Sequence, residues 1–202
     1  MGEELAIMHN KIHWGFKPTF LNILLLCAGI LLNFGGKWIS DTFLLPFWLD
    51  SIGTSLTACI LGPFAGALTG GTYNLLFALC YSANFCYMLT SISIGIIVGR
   101  LYPKNNTDLF QIVCTAAITA ITTVAVTAPL NFFFQHGHTG NLWGDALFDM
   151  LQQNGNHRIF CAVIGEAFVD IPDKVLCLFI VAGILYCKDR IQALPVKKGA
   201  KS

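Results

Sequence analysis

Between Gly165 and Ile184 the chain reads GEAFVDIPDKVLCLFIVAGI, an apolar run that carries four ionisable side chains in its first half. Residues three, four, seven or eight positions apart gather on one side of a helix. Glu166, Asp170, Asp173 and Lys174 have that spacing and make one polar face about 100° wide. Carboxylates accept hydrogen bonds and attract cations, and an ammonium group donates. Two chemistries follow. Lys174 can pair with Asp170 in a salt-bridge network internal to the protein, or a carboxylate can stay available for a cationic, amine-bearing, amide-rich or heteroaromatic ligand. Asp50 adds a further acid if its segment neighbours this helix. Pro172 lies among these residues and deprives the Phe168 carbonyl of its usual donor, so a kink is expected there.

Charges of this kind cost roughly 2.5 to 3.5 kcal/mol each against lipid, so the solvent around the positioning elements decides how they are used. The 202 residues are 55% apolar and 11% charged, with net charge +1 and mean hydropathy +0.65. A soluble chain is about 25% charged. The composition indicates an all-α integral membrane protein. Cut at charged, Pro-bearing or Asn-rich points, with about 20 residues needed to cross a bilayer, the apolar runs predict six transmembrane helices: Phe20 to Phe34, Phe47 to Leu61, Phe64 to Tyr81, Tyr87 to Leu101, Leu109 to Phe132 and Ile159 to Cys187. None shows the strict alternation of a barrel strand.

Cytoplasmic flanks of membrane helices retain positive charge. Lys11, Lys17, Arg100, Lys104, Lys188, Arg190, Lys197, Lys198 and Lys201 all fall on one side of the expected spans, while the opposite loops hold Lys37 and Arg158. Both termini are therefore expected in the cytoplasm of a multi-pass protein of the cell membrane, of bacterial plasma-membrane type. Residues 1–194 read as a single six-helix domain. Within it, residues 1–18 are expected as an interfacial segment, not a cleaved signal, and residues 195–202 as a basic cytoplasmic tail beside anionic lipid.

Asn33, Lys37, Trp48, Asn74, Tyr81, Asn84, Asn131 and Trp143 fall near the outer ends of the expected spans and are candidates to complete a pocket, with caps and belt aromatics as the competing readings. The polar segment Phe133 to His157 reads as a lid. His136 and His138, with His157 as a third ligand, offer a metal pattern of low specificity, because two nearby imidazoles have no fixed third ligand, and no metal site is expected. Thr115, Thr119, Thr123 and Thr127 form a stripe that suits back-bonding to their own helix. The cysteines are scattered without a CxxC pair; Cys80 and Cys86 either pair across an outer turn or stay free.

Small residues recur at Gly62, Gly66 and Gly70 and again at Gly95 and Gly99, which suits close helix approach within the bundle or against a partner. The stretch LPFWLDSIGTSLTACILGPFAGALTGGTYNLL, Leu45 to Leu76, places Asp50 before a Gly62-Pro63-Phe64-Ala65-Gly66 turn and Asn74 after it. Here the chain resembles the substrate-binding S component of energy-coupling factor (ECF) vitamin transporters, across almost its whole length in span count and termini. The resemblance implies capture of a vitamin or related micronutrient on the outer face, and partnership with a transmembrane T subunit and two cytoplasmic ATPases. Docking would use small residues, with Ala28, Gly29, Gly62, Gly66 and Gly70 as candidates, although the first span lacks the AxxxA pattern and Ala116 with Ala120 supplies it on the fifth.

No GxxxxGK[ST] motif is present, since Gly35, Gly36 and Lys37 lack its first glycine and its hydroxyl. The chain is accordingly expected not to be an enzyme, to need no cofactor and to have no nucleic-acid partner. Substrate-binding candidates are Asp50, Asn74, Asn84, Trp143, Glu166, Asp170 and Lys174. A ligand-sensing membrane module and a membrane-embedded enzyme are the alternatives.

Overall fold

The computed structural model describes residues 16–80, 82–103 and 105–193. The interfacial segment to residue 15, Tyr81, Lys104 and the basic tail lie outside the described residues. Within these limits the chain is all-helical: α1 Phe20–Thr42, α2 Ile52–Leu61, α3 Pro63–Ala78, a 3-10 helix Ser82–Tyr87, α4 Met88–Leu101, α5 Leu109–Phe134, α6 Leu142–Gln153 and α7 Arg158–Ala193. Two of them, α1 and α5, are long and apolar enough to cross a membrane; α2 and α4 are shorter apolar helices.

Local chemistry sets the ends of these elements. Thr19 and Asp108 cap α1 and α5 by accepting from the backbone N–H groups of Asn22 and Gln111. Gly62 closes α2 and opens α3 in a single residue. Its φ of 95° lies where side chains other than hydrogen are strained, and Pro63 then starts α3 with a φ already helical.

Glycines draw the core together. Gly70 faces Ser91, Gly66 faces Gly95, and Pro63 faces Gly99, so α3 and α4 run antiparallel with their backbones in contact. A methyl on Gly95 would overlap the Gly66 carbonyl carbon. A second close approach joins α1 to α2, where a methyl on Gly53 would overlap the Gly29 carbonyl. Gly29, Gly66 and Gly70 are buried in these contacts. The docking expectation therefore has no open face at those three positions; Ala28 is exposed and Gly62 half-buried.

Polar side chains share the interior with the apolar core, and many large apolar side chains lie on the outside. Asn33, Thr54, Thr57 and Thr69 are buried, while Phe20, Leu31, Phe110 and Ile121 are exposed. Asn33 links two helices: its Nδ2 donates to Thr54 Oγ1 at 2.8 Å, and its Oδ1 accepts from the N–H groups of Gly53 and Thr54 at the start of α2.

Three boundaries differ from expectation. First, α1 runs on through Lys37 to Thr42, because Gly36 is not a break but the point where the Leu49 carbonyl presses against the helix. Second, Phe47 to Ser51 is not helical, and α2 is only 10 residues long. Leu49 has φ 54°, and the N–H groups of Trp48 and Leu49 turn to Asp173 Oδ1 at 3.1 and 2.8 Å. Third, the expected lid contains α6, capped by Asn141 and packed on α7 through Gly144 and Phe148. Pro172 is accommodated inside α7, which continues past it to Ala193.

Candidate functional site

One end of the bundle is formed by the C-terminal ends of α1, α3 and α5 and the N-terminal ends of α2, α4 and α7. A cavity of about 580 Å³ opens there, within the range of small-molecule sites. Its floor carries the polar face of α7: Glu166, Asp170 and Lys174, with Asp50 beside them. One wall is aromatic. Phe34 and Tyr73 meet edge to face with centroids 4.9 Å apart, and Phe77 lies 5.9 Å from Tyr73. The opposite wall is hydroxylic, with Thr90 and Thr127 sharing a hydrogen bond of 3.1 Å and Thr123 one turn away. At the mouth Lys37 pairs with Asp41 at 2.7 Å and lies 4.1 Å above the Trp48 indole, a cation–π contact.

The four ionisable groups of α7 divide their work. Asp173 is fully buried, does not line the cavity, and uses its carboxylate on Trp48, Leu49 and Lys174, the last at 2.5 Å. It is the clasp that holds the link before α2. Lys174 lies 3.6 Å from Asp170 and so bridges the two acids. Glu166 Oε2 accepts from Asn131 Nδ2 at 2.5 Å, and Asn131 Oδ1 accepts from the Tyr87 hydroxyl at 2.5 Å, which fixes the amide orientation. Asp170 Oδ2 is buried and receives no hydrogen bond from the protein. Glu166 and Asp170 lie one turn apart on this face, both in the cavity lining. Only a proton or a donor brought from outside relieves two carboxylates in that arrangement.

The salt-bridge network and the ligand-facing surface are thus the same face of α7, used by different residues. Of the sequence candidates, Asp50, Asn74, Glu166, Asp170 and Lys174 come together at the cavity. The Asn74 amide donates to the Gly70 carbonyl and to Ser91 Oγ, so its N–H groups serve the α3–α4 contact. Trp143 is not brought to the cavity with them. It lies outside the cavity lining and is half-exposed, and its Nε1 donates to the Leu44 carbonyl at 2.8 Å. Its role is to clamp α6 onto the α1–α2 link, beside the bond from Asn141 to Leu45. The Asn84 side chain lies outside the described residues.

No protein-family model, characterised protein or solved structure matches the chain. The site must speak for itself.

Sequence reasoning missed Tyr73, Tyr87, Phe34 and Asp41. For Phe34, Lys37 and Asp41 a signal existed, because their spacing of three and four places them on one face of α1 once that helix is allowed to continue. Tyr73 and Tyr87 carry none, since only packing decides which aromatic of a membrane helix turns inward. The remaining motifs are structural. Thr115, Thr119 and Thr123 bond back to carbonyls of their own helix. His138 pairs with Asp149 at 3.1 Å, Arg158 donates to the His136 carbonyl, and no group of three metal-ligating side chains occurs among the described residues. All eight cysteines, Cys80 and Cys86 included, are free.

Proposed function

We propose that the chain is the substrate-binding S component of an ECF-type importer: a six-span protein of the cell membrane that captures a vitamin or related micronutrient from outside. A T subunit and two ATPases would then drive its uptake. The observation that carries this reading is the cavity at one end of the bundle, lined by Asp170, one of whose buried carboxylate oxygens has no hydrogen-bond partner among the described residues.

Charge supports the direction. Lys17, Arg100, Lys188 and Arg190 lie at the bundle end away from the cavity, where Asn106 of the α4–α5 connection bonds Asp189 of α7. The positive-inside rule makes that end cytoplasmic and turns the cavity outward. The exposed apolar side chains of α1 and α5 support a lipid-facing surface, and the alternating courses of α1, α2, α3, α4, α5 and α7 support the reading of six crossings with both termini inside. The short α2 reaches only about 15 Å, so the link from Phe47 to Ser51 completes its crossing within protein, where non-helical backbone is tolerated. Ala28 and Gly62 are the docking candidates that remain accessible.

Native mass spectrometry of the gently purified chain tests the reading. A defined small molecule should co-purify, be lost in Glu166→Gln or Asp170→Asn, and the chain should pull down an ATPase module from its own membranes. An empty protein that associates with no energising module would refute the assignment.

A further inference from the structure

Resting on the capture reading, we propose that the ligand of this cavity is a small organic cation: a protonated, N–H-bearing nitrogen carried on a flat ring. The nitrogen sits against Asp170, Glu166 and Asp50, and the ring sits against Phe34, Tyr73 and Phe77.

The charge balance on the floor requires the sign. Asp50, Glu166, Asp170 and Asp173 stand against Lys174 on the floor, and Lys37, whose charge also reaches Asp50, is shared with Asp41 at the mouth, so acids still outnumber bases around the cavity. A single proton shared between Glu166 and Asp170 leaves the floor negative. An anionic ligand would meet like charge in a site largely removed from water, which costs several kcal/mol.

Hydrogen bonding favours the N–H. Asp173 is saturated by two backbone donors and Lys174, whereas Asp170, a residue of the cavity lining that is 2% exposed, keeps a buried oxygen with no donor among the described residues. A buried acceptor without a partner costs about 1–3 kcal/mol, and a ligand that supplies a charged donor removes that cost and gains a short, strong contact. A quaternary nitrogen satisfies the charge but not the acceptor.

The wall requires the ring. Phe34, Tyr73 and Phe77 present a continuous aromatic surface, and their faces attract both apolar rings and cations. Trp48 already holds the Lys37 ammonium over its indole, so a cation at this mouth meets a compatible surface before it reaches the floor.

Titration calorimetry of the full chain in lipid nanodiscs, with four probes of one shape, tests the proposal. Benzylammonium should bind most tightly, benzyltrimethylammonium and benzyl alcohol more weakly, and benzoate at least about tenfold more weakly. Asp170→Asn should weaken benzylammonium about tenfold while the protein still unfolds cooperatively, and Asp50→Asn, away from α7, should weaken it as well. Benzoate or benzyl alcohol binding as tightly as benzylammonium would overturn the cation and leave the capture reading standing. Equal binding of the trimethyl probe, or unchanged binding in both variants, would overturn the N–H requirement at Asp170. Silence from all four probes, with no co-purified molecule by mass spectrometry, would overturn the capture reading together with the inference.

Discussion

Along the α3–α4 seam, Gly66 meets Gly95 and Gly70 meets Ser91 with no room for a methyl, whereas the face of α7 places Asp170 and Glu166, both nearly buried, in the lining of a cavity. Both surfaces avoid large apolar side chains, for opposite reasons. In lipid, apolar residues gain nothing by turning inward, so helices cohere where small residues let backbone atoms touch and dispersion accumulate. Charged residues gain by turning inward, because the alternative is lipid, and they then need partners. The seam has everything it needs. The α7 face is satisfied at Asp173 and unsatisfied at Asp170, one turn nearer the mouth. The difference teaches where binding free energy can still be gained: at the group the fold has desolvated but not partnered.

The comparison can be broken hardest at Asp173. Asp173→Ala removes the acceptor for Trp48 and Leu49 and leaves Lys174 with only its longer contact to Asp170, and loss of one member of a buried ion pair costs about 3–5 kcal/mol. Thermal unfolding in detergent should show the largest loss in the protein, and ligand binding should disappear with the fold. Next comes the seam. Gly95→Ala drives a methyl into the α3 backbone and should cost about 1–3 kcal/mol, with ligand affinity, measured by calorimetry on the protein that remains folded, unchanged. If Gly95→Ala were neutral, the dry-seam account would fail.

Two smaller effects sharpen the contrast. Trp143→Phe removes the donor to the Leu44 carbonyl and should lower stability by about 1 kcal/mol while leaving ligand affinity intact; a loss of affinity would return Trp143 to the site. Thr127→Val removes a hydroxyl that pairs with Thr90 between helices, a bond worth about 0.6 kcal/mol in membrane bundles, and only a small shift in the unfolding midpoint is expected.

Much of this was legible beforehand. The helical class follows from apolar runs without alternation, the break at Gly62 and Pro63 from backbone chemistry, and the shared face of Glu166, Asp170, Asp173 and Lys174 from helical period alone. The course of α1 past Asn33 was not legible, because Asn33 and Gly36 resemble a helix end until Gly53, Thr54 and Leu49 are seen to occupy them. The helix α6 was hidden in a segment whose polar composition reads as loop, although Asn141 is a cap and Asp145 accepts from Thr139 and Gly140 just before it.

The sequence by itself determined that four ionisable groups lie on one helix face, since 3.6 residues per turn is a property of any helix. Only the tertiary structure decided that Asp173 clasps the chain while Asp170 faces the cavity. Which donor reaches which carboxylate depends on segments more than a hundred residues away, and helical period carries no information about them.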